Sequence, residues 1–463
     1  MKLDIPYGDD TMHAELPDDT FVVPGGGSKP IEPIEDMDAA VAHALMHPLG
    51  AAPIPELVKK GDSVVIAFDD CTVPCFSPVR AVAIRECLNQ LDQAGVKRGD
   101  IKLICANSLH RKFRPEELAT IIGHDLVEEF GEQCFCHDAE NPDELAYLGK
   151  TDDHGYDVEL SKHAVDSDLT IYVNAACGRG FSGGWKSVAV GLSTFRSIRH
   201  HHTPDGMSMS VKDNRMHKVL DEMGKHIEKN VDTNFFKIDS VESNPFQTGR
   251  VFAGDTWKCR EAVLNVLEDH YPPRRSLSDE RYDVIIYGVP NWSPYAIFSH
   301  MNPLLTLVSS GLGYLGGTIQ ALGKEGCSVI MVTPCPEQWD RVHHPSYPDV
   351  WDNVLPYEKD PYKIEAEYTD KYISHEQFID KYRHHYAFHP VHGILATHPL
   401  KRLKHAGQVI VAGIEDLNTA HHLGFDAADT VEQALELARE KQGPSATVAY
   451  AQHPAAPPTK ITM

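Results

Sequence analysis

Four short stretches carry side chains of a kind that could do chemistry together. FDDCTVP places Asp69, Asp70 and Thr72 at the end of an apolar run, and ANSLHRKFRPEEL places His110 and Arg111 just past another. NAACGRGFSGGWK combines Gly178, Gly180, Gly183 and Gly184 with Arg179 and Lys186, and RHHHTP follows with His200, His201 and His202. No carboxylate lies between Asn174 and Pro204, in a chain whose 67 Asp and Glu outnumber its 43 Lys and Arg. That local reversal of charge suits an anion, because a glycine-rich turn lets backbone N–H groups approach a phosphate with basic side chains around it. A histidine followed by arginine past a strand end, facing such a turn, suits a general base.

Other readings of the same residues are narrower. Gly178, Gly180 and Gly183 spell G-x-G-x-x-G after a strand, but the acid expected about 20 residues on is missing, and the first one, Asp205, follows a proline. This disfavours a dinucleotide site. Lys186 does not follow a glycine as the lysine of an ATP-binding loop does. From these residues alone, a tight turn with a solvated basic helix after it stays open as the plainer alternative. Cys71 with Cys75, and Cys134 with Cys136, lie close in sequence, yet no second pair stands at zinc spacing. The ten scattered cysteines, Cys105 and Cys327 among them in apolar runs, read as reduced thiols, which points to the cytoplasm.

The elements that must position these groups follow from periodicity. DSVVIAFDD, IKLICAN, LTIYVNAA, YDVIIYGVP, CSVIMVTPC and GQVIVAGI are short runs rich in Val and Ile, bounded by Gly, Asp, Asn and Pro, as strands buried on both faces should be. Helical stretches such as SPVRAVAIRECLNQLDQAG lie between them, with Pro at the start and Gly after the end. The alternation predicts an α/β protein with parallel-rich sheets. The proline-rich, charged EDHYPPRRSLSDERYD separates two α/β domains, 1–275 and 276–435, with 436–463 available to complete the first. In open parallel sheets ligands gather at the carboxyl ends of strands, so the ends carrying Asp70, His110 and the glycine-rich turn should share one crevice. A net charge of −24 argues against nucleic acid or an anionic membrane as partner. No apolar run reaches spanning length, and MKLDIPYGDD lacks the pattern of an export signal.

SGGWKSVAVG with a histidine sixteen residues after its lysine, together with LHRKFRPEEL, DDCTVP and HDAENPDELAYLG, resembles the nickel-dependent lactate racemase family over roughly residues 20–270. The resemblance implies two α/β domains with the active site in the cleft between them. It also implies a nickel-pincer nucleotide, joined to a lysine through a thioamide and binding nickel through two sulfurs and a ring carbon, with a histidine as fourth ligand. Transferred to this chain, Lys186 would be the attachment lysine and His202 the metal ligand. Asp70, Thr72, Gly183 and Gly184 would hold the nucleotide, and His110 would be one catalytic base. Loading would require the enzymes that synthesise the cofactor.

The chain departs from the family pattern at two positions that bear on substrate. Val73 stands where the family's D-x-T-R-P motif has arginine, and Ala176 stands where its second catalytic histidine belongs, leaving volume for a larger substrate. A third family cation, a substrate-site lysine, aligns with Asn302. Arg111 and Arg179 for an anion, and His200, His201 or His300 for a second acid/base, are the candidates to fill these roles. The resulting expectation is a racemase or epimerase of a 2-hydroxy acid other than lactate, an isomerase working by hydride transfer from the α-carbon. The alternatives are a one-face hydride-transfer enzyme using His110 alone, and an inactive cofactor- or ligand-binding homologue.

Overall fold

The computed structural model of the chain describes residues 1–25, 29–178, 182–206, 210–211, 214–271 and 278–453. The described residues fall into two compact units, one within 29–271 together with Lys381–Tyr386, and the other comprising 1–25, 278–380 and 387–453.

The unit within 29–271 is built on a six-stranded sheet. Its strands run in the order Gln247–Gly254, Asn234–Asn244, Leu169–Ala176, Val64–Asp69, Ile101–Ala106, Cys134–Cys136. All neighbours are parallel except the first pair, an antiparallel hairpin at the edge. Val64–Asp69 and Leu169–Ala176 are buried along their whole length. This is why they read as unbroken apolar runs: helices cover both faces of a parallel sheet, so no alternation survives. The helix Arg215–Asn230 presents Met216, Leu220, Met223 and Ile227 to the same core as Ala67, Ile104 and Tyr172, a 3.6-residue apolar stripe.

The second unit carries a six-stranded, all-parallel sheet in the order Asp426–Ala428, Gln408–Ala412, Gly323–Val332, Tyr282–Gly288, Val448–Ala451, Phe21–Val23. The six strands expected from sequence are all present, three in each sheet. The division differs from the sequence expectation at both chain ends. Val448–Ala451, in the stretch assigned to completing the first domain, pairs instead between Tyr282–Gly288 and Phe21–Val23. The N-terminal segment therefore joins the later unit. Conversely, Lys381–Tyr386 belongs to the earlier one, because the buried Tyr382 hydroxyl donates to Ser108 O at 2.8 Å and accepts from Ala139 N at 2.9 Å.

Candidate functional site

Strand order locates the site. From Val64–Asp69 the chain moves outward one way through Ile101–Ala106 and Cys134–Cys136, then returns to place Leu169–Ala176 on the other side. The sheet thus reverses direction between Val64–Asp69 and Leu169–Ala176, the kind of switch point where parallel sheets open a crevice at the carboxyl ends of their strands. A cavity lies there, lined among others by Asp70, Thr72, Val73, His110, Tyr172 and Lys186. Three stretches singled out in the sequence thus meet in one place within one unit.

Its polar centre is a histidine–carboxylate pair. His110 Nδ1 lies 2.7 Å from Asp70 Oδ2 and 3.2 Å from Thr72 Oγ1. Thr72 donates to the other carboxylate oxygen, Asp70 Oδ1, from its hydroxyl at 2.5 Å and its backbone N–H at 2.8 Å. Asp70 is buried, which by itself pushes its carboxyl up, but the His110 charge and hydrogen bond, with those from Thr72, outweigh burial and hold it below the usual range. With Nδ1 turned to the carboxylate, Nε2 is the ring nitrogen that would exchange a proton with a ligand. The turn that presents His110 is closed by His110 N donating to Asn107 O at 2.7 Å, and it holds Ser108 at φ +48°, a conformation side chains rarely adopt. Asn107 Oδ1 and Ser108 Oγ belong to residues lining the same cavity and are buried with no hydrogen-bond partner among the described residues. A polar ligand would satisfy them.

Lys186 enters from the other wall. Trp185, fully buried, seats this segment on the helix Arg215–Asn230, where Gly224 leaves room for the indole: a Cβ there would stand 2.2 Å from the Trp185 ring. Gly191, at the end of Lys186–Gly191, allows close approach to the strand ends, since a Cβ would lie 2.6 Å from Tyr172 Oη and 2.9 Å from Ala106 Cβ. Burial lowers the Lys186 pKa against the pull of Asp69, Cys177 and Asp70, and Lys237 lowers it further. Nearby, His201 Nδ1 meets His202 Nδ1 at 2.7 Å. Burial first, then the charges of His202 and Lys186, push His201 well below the ordinary histidine range.

Several sequence candidates are placed elsewhere. Arg111 is buried with its guanidinium held bidentately by Glu117 at 2.8 and 2.9 Å and lying 4.5 Å over the Phe113 ring. It braces the loop behind His110 and is not among the cavity residues, so it is not placed to clamp a substrate anion. His200 Nε2 accepts from Asp157 N at 3.1 Å. His201 is fully buried and also absent from the lining, and His300 is exposed in the other unit. Arg179 and Gly180 lie outside the described residues. Gly183 and Gly184 have φ of +70° and +67°, and neither lines the cavity. A Cβ on Gly183 would stand 3.0 Å from Asp239 Oδ2, and one on Gly184 2.4 Å from Arg260 Cδ, so backbone shape and protein packing require these glycines. Ala176 is fully buried in an apolar cluster with Val211, Val241, Val263 and Leu267. The volume expected around it is filled by these side chains.

Apart from Asp69, the groups behind the walls are not among the sequence candidates. Tyr172 donates to Asp69 Oδ1 at 2.9 Å, and the other Asp69 oxygen accepts from Ala175 N at 2.8 Å. Arg80, buried on the following helix, donates to Cys75 O and Val73 O and fixes the loop that carries Thr72. Lys237 and Asp239 sit fully buried within Asn234–Asn244. Their signal was available, since two charges inside FFKIDSV interrupt a strand pattern. All ten cysteines are free thiols. Among the described residues no helix is long and apolar enough to cross a membrane, and no group of three or more His, Cys, Asp or Glu side chains could hold a metal ion by itself.

Comparison with known proteins adds the following. Residues 7–214 match the lactate racemase N-terminal domain, a span that includes Asp70, Thr72, His110, Lys186 and His202. The chain is 28% identical over 207 residues to the lactate racemase of Thermoanaerobacterium thermosaccharolyticum, covering 43% of this chain and 46% of that protein. It is 24% identical over 231 residues to the lactate racemase of Lactiplantibacillus plantarum, covering 48% and 53%. The chain thus spans about half the length of the curated relatives it matches. In three dimensions it is similar to the lactate racemase apoprotein of T. thermosaccharolyticum, with a TM-score of 0.69 at 20% identity over 97% of this chain and 98% of that one. A crystal structure of a Thermotoga maritima protein superposes with a TM-score of 0.53 at 13% identity over 92% and 100%. At these identities the structural likeness establishes the shared α/β fold.

Proposed function

We propose, from the match of residues 7–214 to the lactate racemase N-terminal domain, that this chain is a nickel-pincer nucleotide-dependent racemase or epimerase of a 2-hydroxy acid other than lactate. The observation that carries the reading is the Asp70–His110 pair opening on the same cavity as Lys186.

The residues fit the group. The cavity combines a half-buried lysine of lowered pKa with buried polar atoms on Asn107 and Ser108 that have no hydrogen-bond partner among the described residues. Lys186 would hold the nucleotide through its side-chain nitrogen, and His202 would bind nickel through its imidazole, a normal donor for Ni(II). With no metal-holding cluster of three protein side chains among the described residues, the remaining donors would come from the pincer itself. When bound, the group supplies a hydride acceptor and donor for the substrate α-carbon.

This chain's own residues supply the proton chemistry. His110 Nε2 removes the proton of the substrate hydroxyl, and the Asp70 carboxylate stabilises the imidazolium that forms. The same imidazolium returns the proton when the keto intermediate is reduced. Lactate is disfavoured because Val73 gives the cavity wall no guanidinium, and Arg111 is committed to Glu117. A small carboxylate therefore lacks a charge-assisted clamp from either residue.

One observation favours a second reading. His110 is the one imidazole among the described residues lining the cavity, and Ala176 is packed in apolar core. A one-face hydride transfer that interconverts a hydroxy acid and its keto acid needs a single base.

The test uses protein produced with the cofactor-synthesis enzymes and a panel of α-deuterated 2-hydroxy acids, including longer-chain and sugar-derived ones. Inversion of one of them, with lactate turned over far more slowly, is expected. Net ketone formation without inversion would support the second reading, and efficient lactate racemisation would overturn the substrate assignment.

A further inference from the structure

Lys237 and Asp239 are among the most deeply buried charges that the proposed chemistry does not use, at 1% and 0% exposure. They stand 3.4 Å apart on the strand beside Leu169–Ala176. Lys237 Nζ donates to Ser187 Oγ, on the residue directly after Lys186, and lies 4.4 Å from the centre of the Tyr172 ring. Ser187 and Tyr172 both line the cavity. The Lys237 side chain is thus fixed immediately behind the wall that carries Lys186, and Asp239, whose carboxyl burial pushes up, lies against the Gly183 backbone just upstream. Burying such a pair is costly and, on stability grounds alone, apolar residues would serve as well.

We propose that Lys237 is a positioning residue for Lys186: held by Ser187, Tyr172 and Asp239, its ammonium keeps the neighbouring lysine an uncharged amine, ready to take an acyl group. The inference rests on reading Lys186 as the attachment residue. A protonated amine has no lone pair to give, and a second cation at short range is an established way to deprotonate a buried lysine. The acylation balances simply. The Lys186 nitrogen forms a bond to the carbon of an activated thiocarboxyl group, whose C=S is kept in the thioamide, the bond to the leaving group breaks with its electron pair, and the amine proton passes to water.

The other groups facing Lys186 bound the effect. Asp69 and Asp70 favour its ammonium form, as does Cys177 when ionised, whereas burial and Lys237 oppose it. His201 faces it from beyond Phe195–Ile198, and its own lowered pKa leaves it neutral. The helix Arg215–Asn230, packed on the Lys186 segment, brings His217, which is bonded to Ser182 Oγ at 3.1 Å. Lys237 is therefore the one other lysine among these groups.

The experiment is the pH dependence of Lys186 acetylation by acetic anhydride in the cofactor-free chain, read by peptide mass with surface lysines as internal reference. Wild type should reach its half-maximal rate at lower pH than the surface lysines. Lys237→Met should raise the Lys186 midpoint by about one pH unit, an approximately tenfold slower reaction at neutral pH, with the reference lysines unmoved. Lys237→Arg should keep the wild-type midpoint. Because Lys237→Met leaves Asp239 without its cation, Lys237→Met/Asp239→Asn provides an uncharged, near-isosteric core and should show the same rise. An unchanged midpoint in the folded double variant would overturn the proposal. A low, Lys237-dependent midpoint in a protein that never acquires a cofactor adduct would leave this inference standing and remove the cofactor reading instead.

Discussion

His110 Nδ1 and Asp70 Oδ2 stand 2.7 Å apart at the ends of two adjacent parallel strands, and Thr72 occupies the second carboxylate oxygen. The carboxylate can accept from Nδ1–H but cannot donate to it, so the arrangement selects the tautomer that leaves Nε2 basic. Removing His110 and removing Asp70 should therefore have different consequences.

In cofactor-loaded protein, His110→Ala is expected to lower kcat by about 10²–10⁴, the range for loss of a general base, while the mass of the Lys186 peptide stays unchanged. Asp70→Asn keeps the shape but frees the tautomer and should lower kcat and displace its acidic limb. Turnover within a few-fold of wild type in His110→Ala would place the base elsewhere.

Much of this pairing was legible before any coordinates. The apolar runs ending in Asp69 and Ala106 gave parallel strands, and parallel strands bring their carboxyl ends together. What the sequence could not give is the direction of a side chain. Arg111 follows His110 directly, yet it turns inward because Glu117, six residues on in the helix Pro115–Ile122, offers a buried bidentate partner. Ala176 looked like vacant space because only its neighbours in sequence were visible. Its neighbours in space, Val241 and Val263, come from a strand and a helix more than sixty residues later. The parallel pairing of Phe21–Val23 with Val448–Ala451 was equally hidden, since no local pattern says which sheet a terminal strand will join.

The two departures from the lactate racemase pattern should respond differently to reversion. Ala176→His inserts a polar ring into an apolar cluster and should lower stability by about 1–3 kcal/mol, seen as a reduced Tm, with no gain in lactate turnover. Val73→Arg changes a half-buried residue on the cavity wall and should retain the wild-type Tm while tightening the binding of small 2-hydroxy carboxylates. Equal Tm losses in the two variants would contradict this distinction.

Acid should weaken the earlier unit through its buried histidines. His137 is buried with Nε2 3.1 Å from Ser193 O, and burial lowers its pKa from 6.5 to about 4. Between those values the unfolded chain binds the proton and the native one does not, so stability falls as pH drops through that window, by roughly 3 kcal/mol when complete. His201, shifted the same way, adds to the loss below pH 6.5. Asp70 acts later and with its own sign: its depressed pKa gives stability above the unfolded carboxyl value that disappears as pH falls through the folded one. Urea unfolding at pH 7 and pH 5 should show a smaller loss in His137→Gln than in wild type, and an identical loss would assign the acid sensitivity to other groups.

Whether the cavity is a cofactor socket is decided by peptide mass mapping of protein produced with the cofactor-synthesis enzymes, with nickel counted on the same sample. The expected result is one covalent adduct on the peptide carrying Lys186, close to one nickel per chain, neither present in Lys186→Ala, and reduced nickel with the adduct retained in His202→Ala. An adduct mapped to another lysine, or nickel bound undiminished by Lys186→Ala, would contradict it.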